Sequence, residues 1–347
     1  MEMDLFGYMK DQRFGRVHVA NDEKTGLRAI VAVHSTTRGP GIGGCRAIRY
    51  PNTEAAMRDA MRLGRGMSYK AACAGLNHGG AKAVIMLPDG EFDREALFTE
   101  YGKFVDSIGG DYITCEDSGT STGDMDVIAR QTKHVLGTSN GSGDPSPYTA
   151  YGCRRGLEAA VKFQLGKDSL KGLHIAFQGV GNVGFHMARE VVECGAHITV
   201  ADVNQTNVQR AVDELGAKVV GVDEILGLEC DVLAPCALGA ILDDTTIPNL
   251  KTRVIAGAAN NMLAEDRHGD ELHRRGILYA PDYVINAGGL INVASEYSPA
   301  GWDHDTAWAG CTAIFDTLIA MFERSRSTDT PTHIVADQVA EERIFID

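Results

Sequence analysis

The sequence has no uninterrupted stretch of about 20 apolar residues, the length a membrane-crossing helix needs. It also has no Cys-x-x-Cys and no His-Glu-x-x-His, although it holds 8 cysteines and 11 histidines. The cysteines stand singly at Cys45, Cys73, Cys115, Cys153, Cys194, Cys230, Cys236 and Cys311. Spaced that way they read as reduced thiols, neither a disulfide framework nor a zinc site, and no metal is expected. Cations are scarce: 33 Lys and Arg against 47 Asp and Glu leave a net charge of -14. A nucleic-acid protein needs a basic face for phosphates, and anionic lipid asks for the same, so neither partner is expected. The opening segment, MEMDLFGYMKDQRFGR, lacks the apolar run of a signal peptide, which together with the thiols points to the cytoplasm.

What is present suits a folded protein with a packed core. At 347 residues, with 44% hydrophobic and 23% charged, the chain is sized for two packed domains. Glycine, at 40 residues, is well above its usual share and implies many tight turns. Residues 16–20 and 27–34 read as a β-hairpin around the turn-forming 21–26. From Thr53 a helical pattern runs through Met57, Ala60, Met61, Gly64, Met67 and Ala71. Ala83 to Leu87 reads as a buried strand, 94–108 as a helix, and 112–115 as a short strand. The segment GTSNGSGDPSP, Gly137 to Pro147, is the best linker. Beyond it, strands at 174–177, 197–201, 218–220, 231–233, 254–256 and 277–279 alternate with helices. That alternation predicts a doubly wound parallel sheet, so the fold expected is α/β, with an N-terminal α/β domain over 1–140 and a Rossmann domain over 145–325. The C-terminal helix, about 325–347, is expected to pack back on the first domain.

Gly179-Val180-Gly181-Asn182-Val183-Gly184 follows one of these strands and opens a helix. Glycines in such a turn let the backbone approach a diphosphate, which then sits on free amides at the positive helix end. Asp202 closes the next strand, where a carboxylate holds the ribose hydroxyls and repels a 2′-phosphate. No Lys or Arg occurs in the seven residues after it (VNQTNVQ), so NAD is expected over NADP. In the first domain, Lys70 and Lys82 flank Asn77-His78-Gly79-Gly80-Ala81. Lys70 shares a helix face with Met67, otherwise apolar. His78 reads as exposed beside the site. An Arg/His/acid set of the 2-hydroxy-acid dehydrogenase kind is not seen.

The strings GPGIGGCRAIRY, LGRGMSYKAACAGLNHGGAKAVI, YITCEDSGT with GDMD, PCALGAIL and NAGGLINV occur in this order across essentially the whole chain. Together they resemble the glutamate/leucine/phenylalanine/valine dehydrogenase family, the leucine, valine and phenylalanine branch above all. The resemblance implies Lys82 as general base and Asp117 as proton relay. It implies Lys70 on the substrate α-carboxylate with Gly43 and Gly44 beside it, and Asn261 as second head-group anchor. Ile42, Met67, Cys115, Leu290 and Val293 match the side-chain pocket. Thr149, Ala237, Leu238 and Asn260 match positions on the nicotinamide ribose or ring, beside Gly179, Gly181, Asn182, Val183, Gly184 and Asp202.

The implied reaction is NAD-dependent oxidative deamination of an apolar, branched-chain L-amino acid to the 2-oxo acid and ammonia, and its reverse. A lysine base near neutrality needs burial and a nearby cation, for which Lys70 is the candidate. The cofactor of one domain must meet the lysines of the other, so the reaction is expected between them, with closure about the linker. An uncharged pocket disfavours glutamate. Cys115, larger than the alanine or glycine of a roomy aromatic pocket, and Leu290, larger than the valine typical of leucine enzymes, imply a tighter pocket that favours branched aliphatic substrates over phenylalanine or tryptophan. A non-catalytic NAD-binding relative is the reading from another class, and Ala81, where the family usually has a third glycine, is its only support: a positive φ there would strain alanine. A homo-oligomer, dimer or octamer, is implied by the family alone, with the N-terminal hairpin as a plausible pairing edge.

Overall fold

The computed structural model describes residues 4–237, 239–298 and 300–345. It divides into two compact units. Unit 1 holds residues 1–143, 293–303 and 340–347, and unit 2 holds 144–292 and 304–339. Among the described residues no helix is long and apolar enough to cross a membrane.

Unit 1 begins with α1 (Leu5–Asp11), β1 (Arg16–Asp22), β2 (Leu27–Ser35) and β3 (Gly41–Ile48). Then come α2 (Thr53–Cys73), β4 (Gly79–Met86), α3 (Arg94–Ser107), β5 (Tyr112–Glu116) and α4 (Thr122–Ala129). The strands form one sheet in the order β1-β2-β4-β3-β5. β1, β2 and β4 pair antiparallel, whereas β3 pairs parallel with both β4 and β5. Alternation along each strand sorts the core into two layers. Leu27, Ala29, Val31, Cys45, Ala47, Ala83 and Ile85 join residues of α3 and α4 on one face. Ile30, Ala32, Val84 and Met86 meet Ala56, Ala60 and Met61 of α2 on the other. By the same alternation Arg46 and Lys82 belong to the α2 face.

β3 is the element the sequence hid: its run GIGGCRAI is too glycine-rich to read as a strand, yet it lies inside the sheet. The crowding of its neighbours explains the composition. A Cβ on Gly43 would overlap the Ala81 carbonyl, and one on Gly80 would overlap the Ser68 amide of α2. Only glycine admits such backbone approach.

Unit 2 continues with α5 (Ser146–Leu165), β6 (His174–Gln178), α6 (Asn182–Glu193), β7 (His197–Ala201), α7 (Gln205–Leu215) and β8 (Lys218–Val219). β9 (Val232–Pro235), β10 (Val254–Ile255), α8 (Asp266–Arg274), β11 (Leu278–Tyr279) and α9 (Asp282–Ile285) follow, and then α10 (Gly288–Ser295), which runs on into unit 1 from Val293. α11 (His304–Thr312), α12 (Ile314–Thr328) and α13 (Thr332–Ile344) complete the described regular structure. The parallel sheet has the order β11-β10-β9-β6-β7-β8, so the connection reverses direction between β6 and β9. This is the doubly wound arrangement whose switch point opens a crevice beyond the strands' carboxyl ends.

Two expectations need correction. The C-terminal helix does not belong to unit 1 along its length: residues 304–339 are part of unit 2 and only those from Ala340 return. Within unit 2 the Tyr283 hydroxyl donates to Asp337 at 2.6 Å, whereas within unit 1 the Tyr69 hydroxyl donates to Glu341 at 2.7 Å and Arg343 donates to the α2 carbonyl of Ala72 at 2.6 Å. The Gly- and Ser-rich stretch 137–147 is also no free tether. The Glu296 carboxylate accepts from the Gly137 amide at 3.1 Å, the Ser142 amide at 2.8 Å and the Ser142 hydroxyl at 2.5 Å, and α5 already begins at Ser146.

Candidate active site

In unit 1 the register of β3 brings the predicted residues together. Gly44 pairs with Cys115 and Ile42 with Ile113 on β5, while Ile42 faces Gly80 on β4. A Cβ on Gly44 would lie 2.7 Å from the Asp117 Cβ, so the glycine lets the chain after β5 close on β3. That chain turns sharply. The Thr120 hydroxyl accepts from the Asp117 amide at 2.8 Å, the Ala47 amide donates to Ser118 at 3.0 Å, and Gly119 adopts φ +82°. The turn fixes the Asp117 backbone.

Lys82 is 4% exposed and is the fourth residue of β4. Its ammonium donates to Asp117 Oδ2, the pairing a buried cation requires. The other oxygen, Oδ1, accepts from Arg46 Nε at 3.1 Å. Burial pushes the Asp117 carboxyl up, but Lys82 and Arg46 together outweigh it and hold it below the usual carboxylate range. Lys70 sits in the last turn of α2, part-buried, and Met67 of the same helix backs onto Gly80. The partner the structure gives Lys82 is thus a carboxylate, where the sequence suggested a neighbouring lysine. Burial pushes the Cys115 thiol up to about 12, so it is a neutral wall, not a nucleophile.

Two neighbours differ from expectation. His78 is not exposed: at 5% it lies under the Gly39 segment, with Nδ1 2.8 Å from the Gly79 carbonyl, and burial holds its pKa below the ordinary value. Ala81 carries no positive φ; it is paired with Val33 in the β2–β4 ladder, so alanine is unstrained there. Arg46 and Thr120 stand in the quoted motifs GPGIGGCRAIRY and YITCEDSGT without an assigned role, and Asp59 lies outside the motifs. The usable signal was an arginine in an otherwise small and apolar run, which must find carboxylates when half-buried.

In unit 2 the predicted dinucleotide residues gather at the carboxyl ends of β6, β7 and β9. Gly179 has φ +97°, and a Cβ there would lie 2.6 Å from Ala237 Cβ, so this glycine serves the turn and the β9 loop alike. Gly184 packs back against the Gly179 carbonyl. Gly181 caps α6 with no side-chain hydrogen bond, and a Cβ on it would meet nothing within 4 Å. The helix therefore presents Asn182, Val183 and Gly184 at an uncapped, positive end over open space, which fits a diphosphate. Asp202 follows β7 and accepts from the Val180 amide at 2.9 Å and the Asn204 amide at 2.8 Å. The residues present fit a dinucleotide.

Beyond β9 and β10, the Ala240 amide donates to Asn261 at 2.6 Å, and both residues have positive φ. The Asn286 amide donates to Asn260 at 2.8 Å. Thr149, on the first turn of α5, lies where a Cβ on Gly289 would be 2.7 Å from its hydroxyl, next to the 8%-exposed Leu290. Val293 is part-buried and counted with unit 1. Leu238 lies outside the described residues.

Residues 11–134 match the Glu/Leu/Phe/Val dehydrogenase dimerisation domain, and residues 200–305 match the Glutamate/Leucine/Phenylalanine/Valine dehydrogenase model. A leucine dehydrogenase of Geobacillus stearothermophilus is 49% identical over 99% of this chain and 94% of its own length. An L-tryptophan dehydrogenase of Nostoc punctiforme is 42% identical over 99% of this chain and 96% of its own. The crystal structure of L-tryptophan dehydrogenase from that organism superposes with a TM-score of 0.87 at 41% identity, over 98% of each chain. A hetero-hexameric glutamate dehydrogenase from Thermus thermophilus shares the fold, with a TM-score of 0.76 at 21% identity over 95% of this chain and 88% of its own. This chain belongs to the glutamate/leucine/phenylalanine/valine dehydrogenase family and is an amino-acid dehydrogenase.

Proposed function

We propose that the protein catalyses NAD-dependent oxidative deamination of a branched-chain L-amino acid, leucine, valine or isoleucine, and the reverse reductive amination. The observation that carries this reading is the buried Lys82–Asp117 pair on the glycine-lined floor of unit 1. The bound nicotinamide supplies the acceptor for the hydride leaving the substrate Cα. Lys70 holds the α-carboxylate beside Gly43 and Gly44, and Asn261 adds a hydrogen bond to the head group. Lys82 passes its ammonium proton to Asp117 and, once neutral, takes the proton from the water that attacks the imine carbon. Asp117 carries protons to and from the nitrogen, and ammonia leaves as the 2-oxo acid forms.

NAD over NADP is supported by Asp202, whose charge opposes a 2′-phosphate. The nearest following cation, Arg210, is engaged by the Phe185 ring at 3.6 Å and by Glu214 at 3.0 Å. The proposed side-chain pocket of Ile42, Met67, Cys115, Leu290 and Val293 is uncharged, which suits an aliphatic substrate and leaves a distal carboxylate without a cation. A homo-oligomer fits the dimerisation-domain match. β1 ends the sheet of unit 1 and exposes Val19, an edge open to a second copy.

The test is NADH formation with NAD and each of leucine, valine, isoleucine, phenylalanine, tryptophan and glutamate. Turnover is expected to be fastest on the branched-chain substrates, and Lys82→Ala should lower kcat by roughly 1,000-fold or more. Preference for tryptophan would retain the chemistry and remove the pocket assignment. No turnover on any substrate would remove the reading.

A further inference from the structure

Arg46 occupies a position that the proposed reaction does not use. It projects from β3 onto the α2 face, where its backbone is held by pairing with Val84. Its guanidinium reaches two carboxylates at once: Nε donates to Asp117 Oδ1 at 3.1 Å, and a terminal nitrogen donates to Asp59 Oδ2 at 3.0 Å. Asp59, on α2, is fixed in turn by the Tyr50 hydroxyl at 2.6 Å and by Arg62 at 3.3 Å. Both side chains of the Arg46–Asp59 pair are under a quarter exposed, 23% and 17%, so solvent does not screen the contact as it would at the surface.

We infer that Arg46 is a positioning residue, which fixes the rotation of the Asp117 carboxylate so that Oδ1 is spent on structure and Oδ2 is left to exchange protons with Lys82 and substrate. The inference rests on the proposed proton-relay role of Asp117. Its logic is geometric. Thr120 and the Ser118–Ala47 bond fix the Asp117 backbone, but a backbone bond leaves the carboxylate free to turn about Cα–Cβ and Cβ–Cγ. The carboxylate itself is met by the Lys82 ammonium, the Ser118 amide and Arg46, and of these side chains only Arg46 is a planar fork braced at its far end. A lysine ammonium is a point charge on a flexible stem and cannot span both carboxylates in a fixed plane.

The experiment compares Arg46→Met, Arg46→Lys and Asp59→Asn in the full-length enzyme with NAD and leucine. Arg46→Met is expected to lower kcat by roughly 100-fold, the cost of an ångström-scale misplacement, with KM for leucine changed less than about threefold. Arg46→Lys should recover less than a tenth of the lost activity, and Asp59→Asn, which loosens only the brace, should lower kcat about tenfold. A crystal structure of Arg46→Met should show Oδ2 turned away from Lys82. Unchanged kcat in all three, or a raised KM with kcat intact, would overturn the inference. Should Arg46→Met fail to fold, Asp59→Asn and Arg46→Lys decide alone. If the unmodified enzyme does not turn over leucine, the function assignment has failed, and the carboxylate rotation in the crystal still decides the role of Arg46.

Discussion

Both units contain a glycine-rich segment beside a strand, and they differ in what one missing side chain leaves behind. In unit 1 the places where side chains are missing from Gly43, Gly44 and Gly80 are filled by protein: the Ala81 carbonyl, the turn after β5, the backbone of α2. In unit 2 the space beside Gly181 is open for at least 4 Å. Gly179 and Gly184 of unit 2 are filled by protein too, so the contrast lies at Gly181, where the missing Cβ leaves room for the proposed diphosphate. Glycine content by itself does not distinguish a structural floor from a binding site; what the absent side chain would have touched does.

The comparison can be broken most severely at Gly43. Gly43→Ala sets a methyl on the Ala81 carbonyl between two paired strands, which neither strand can yield without losing its ladder. The expected cost is about 3 kcal/mol or more, seen as loss of soluble folded protein or a strongly lowered Tm. Its counterpart, Gly181→Ala, should leave the Tm within about 2 °C, since the added methyl meets nothing and φ is -65°. It should instead raise KM for NAD about tenfold, a loss near 1.4 kcal/mol, with KM for leucine unmoved. An equal fall in Tm for the two variants would end the contrast.

The filled character of unit 1 also has an acid signature. His34 is 1% exposed, packed against Phe14 and near Phe345, and burial drives its pKa down to about 4. Its folded pKa lies below the unfolded value, so the unfolded chain binds the proton first. Stability is full above about pH 6.5 and falls as pH drops towards 4, by at most about 3 kcal/mol. Unfolding midpoints at pH 7 and pH 5 should differ less in His34→Phe than in the unmodified chain. An identical pH dependence would place the acid sensitivity elsewhere.

Much of unit 2 was legible because its signals are local. The fingerprint Gly179 to Gly184, the strand before it and Asp202 after it lie within 30 residues, and each has a position-specific reason. Unit 1 was legible in its helices and in Lys82, but β3 was not. Its glycines deny it the β-branched residues that mark strands, and their cause, backbone crowding, exists only once β4 and β5 are in place. His78 was misread for the same kind of reason, since the Gly39 segment that lies against its backbone is 39 residues earlier in the chain. The linker's composition was read correctly and its freedom was not: Glu296 lies 154 residues beyond Ser142.

That separation has a consequence in time. A growing chain emerges at ~5–20 residues per second, so Glu296 arrives roughly 8–30 s after the serine it will hold. Between those moments the ribosome delivers residues 144–292, the larger part of unit 2. The strands of unit 1 are complete by Glu116 and free to pair early, but Gly137 and Ser142 wait for the carboxylate that holds them until most of unit 2 has been made. The last stitch in the older unit is sewn by the younger end of the chain.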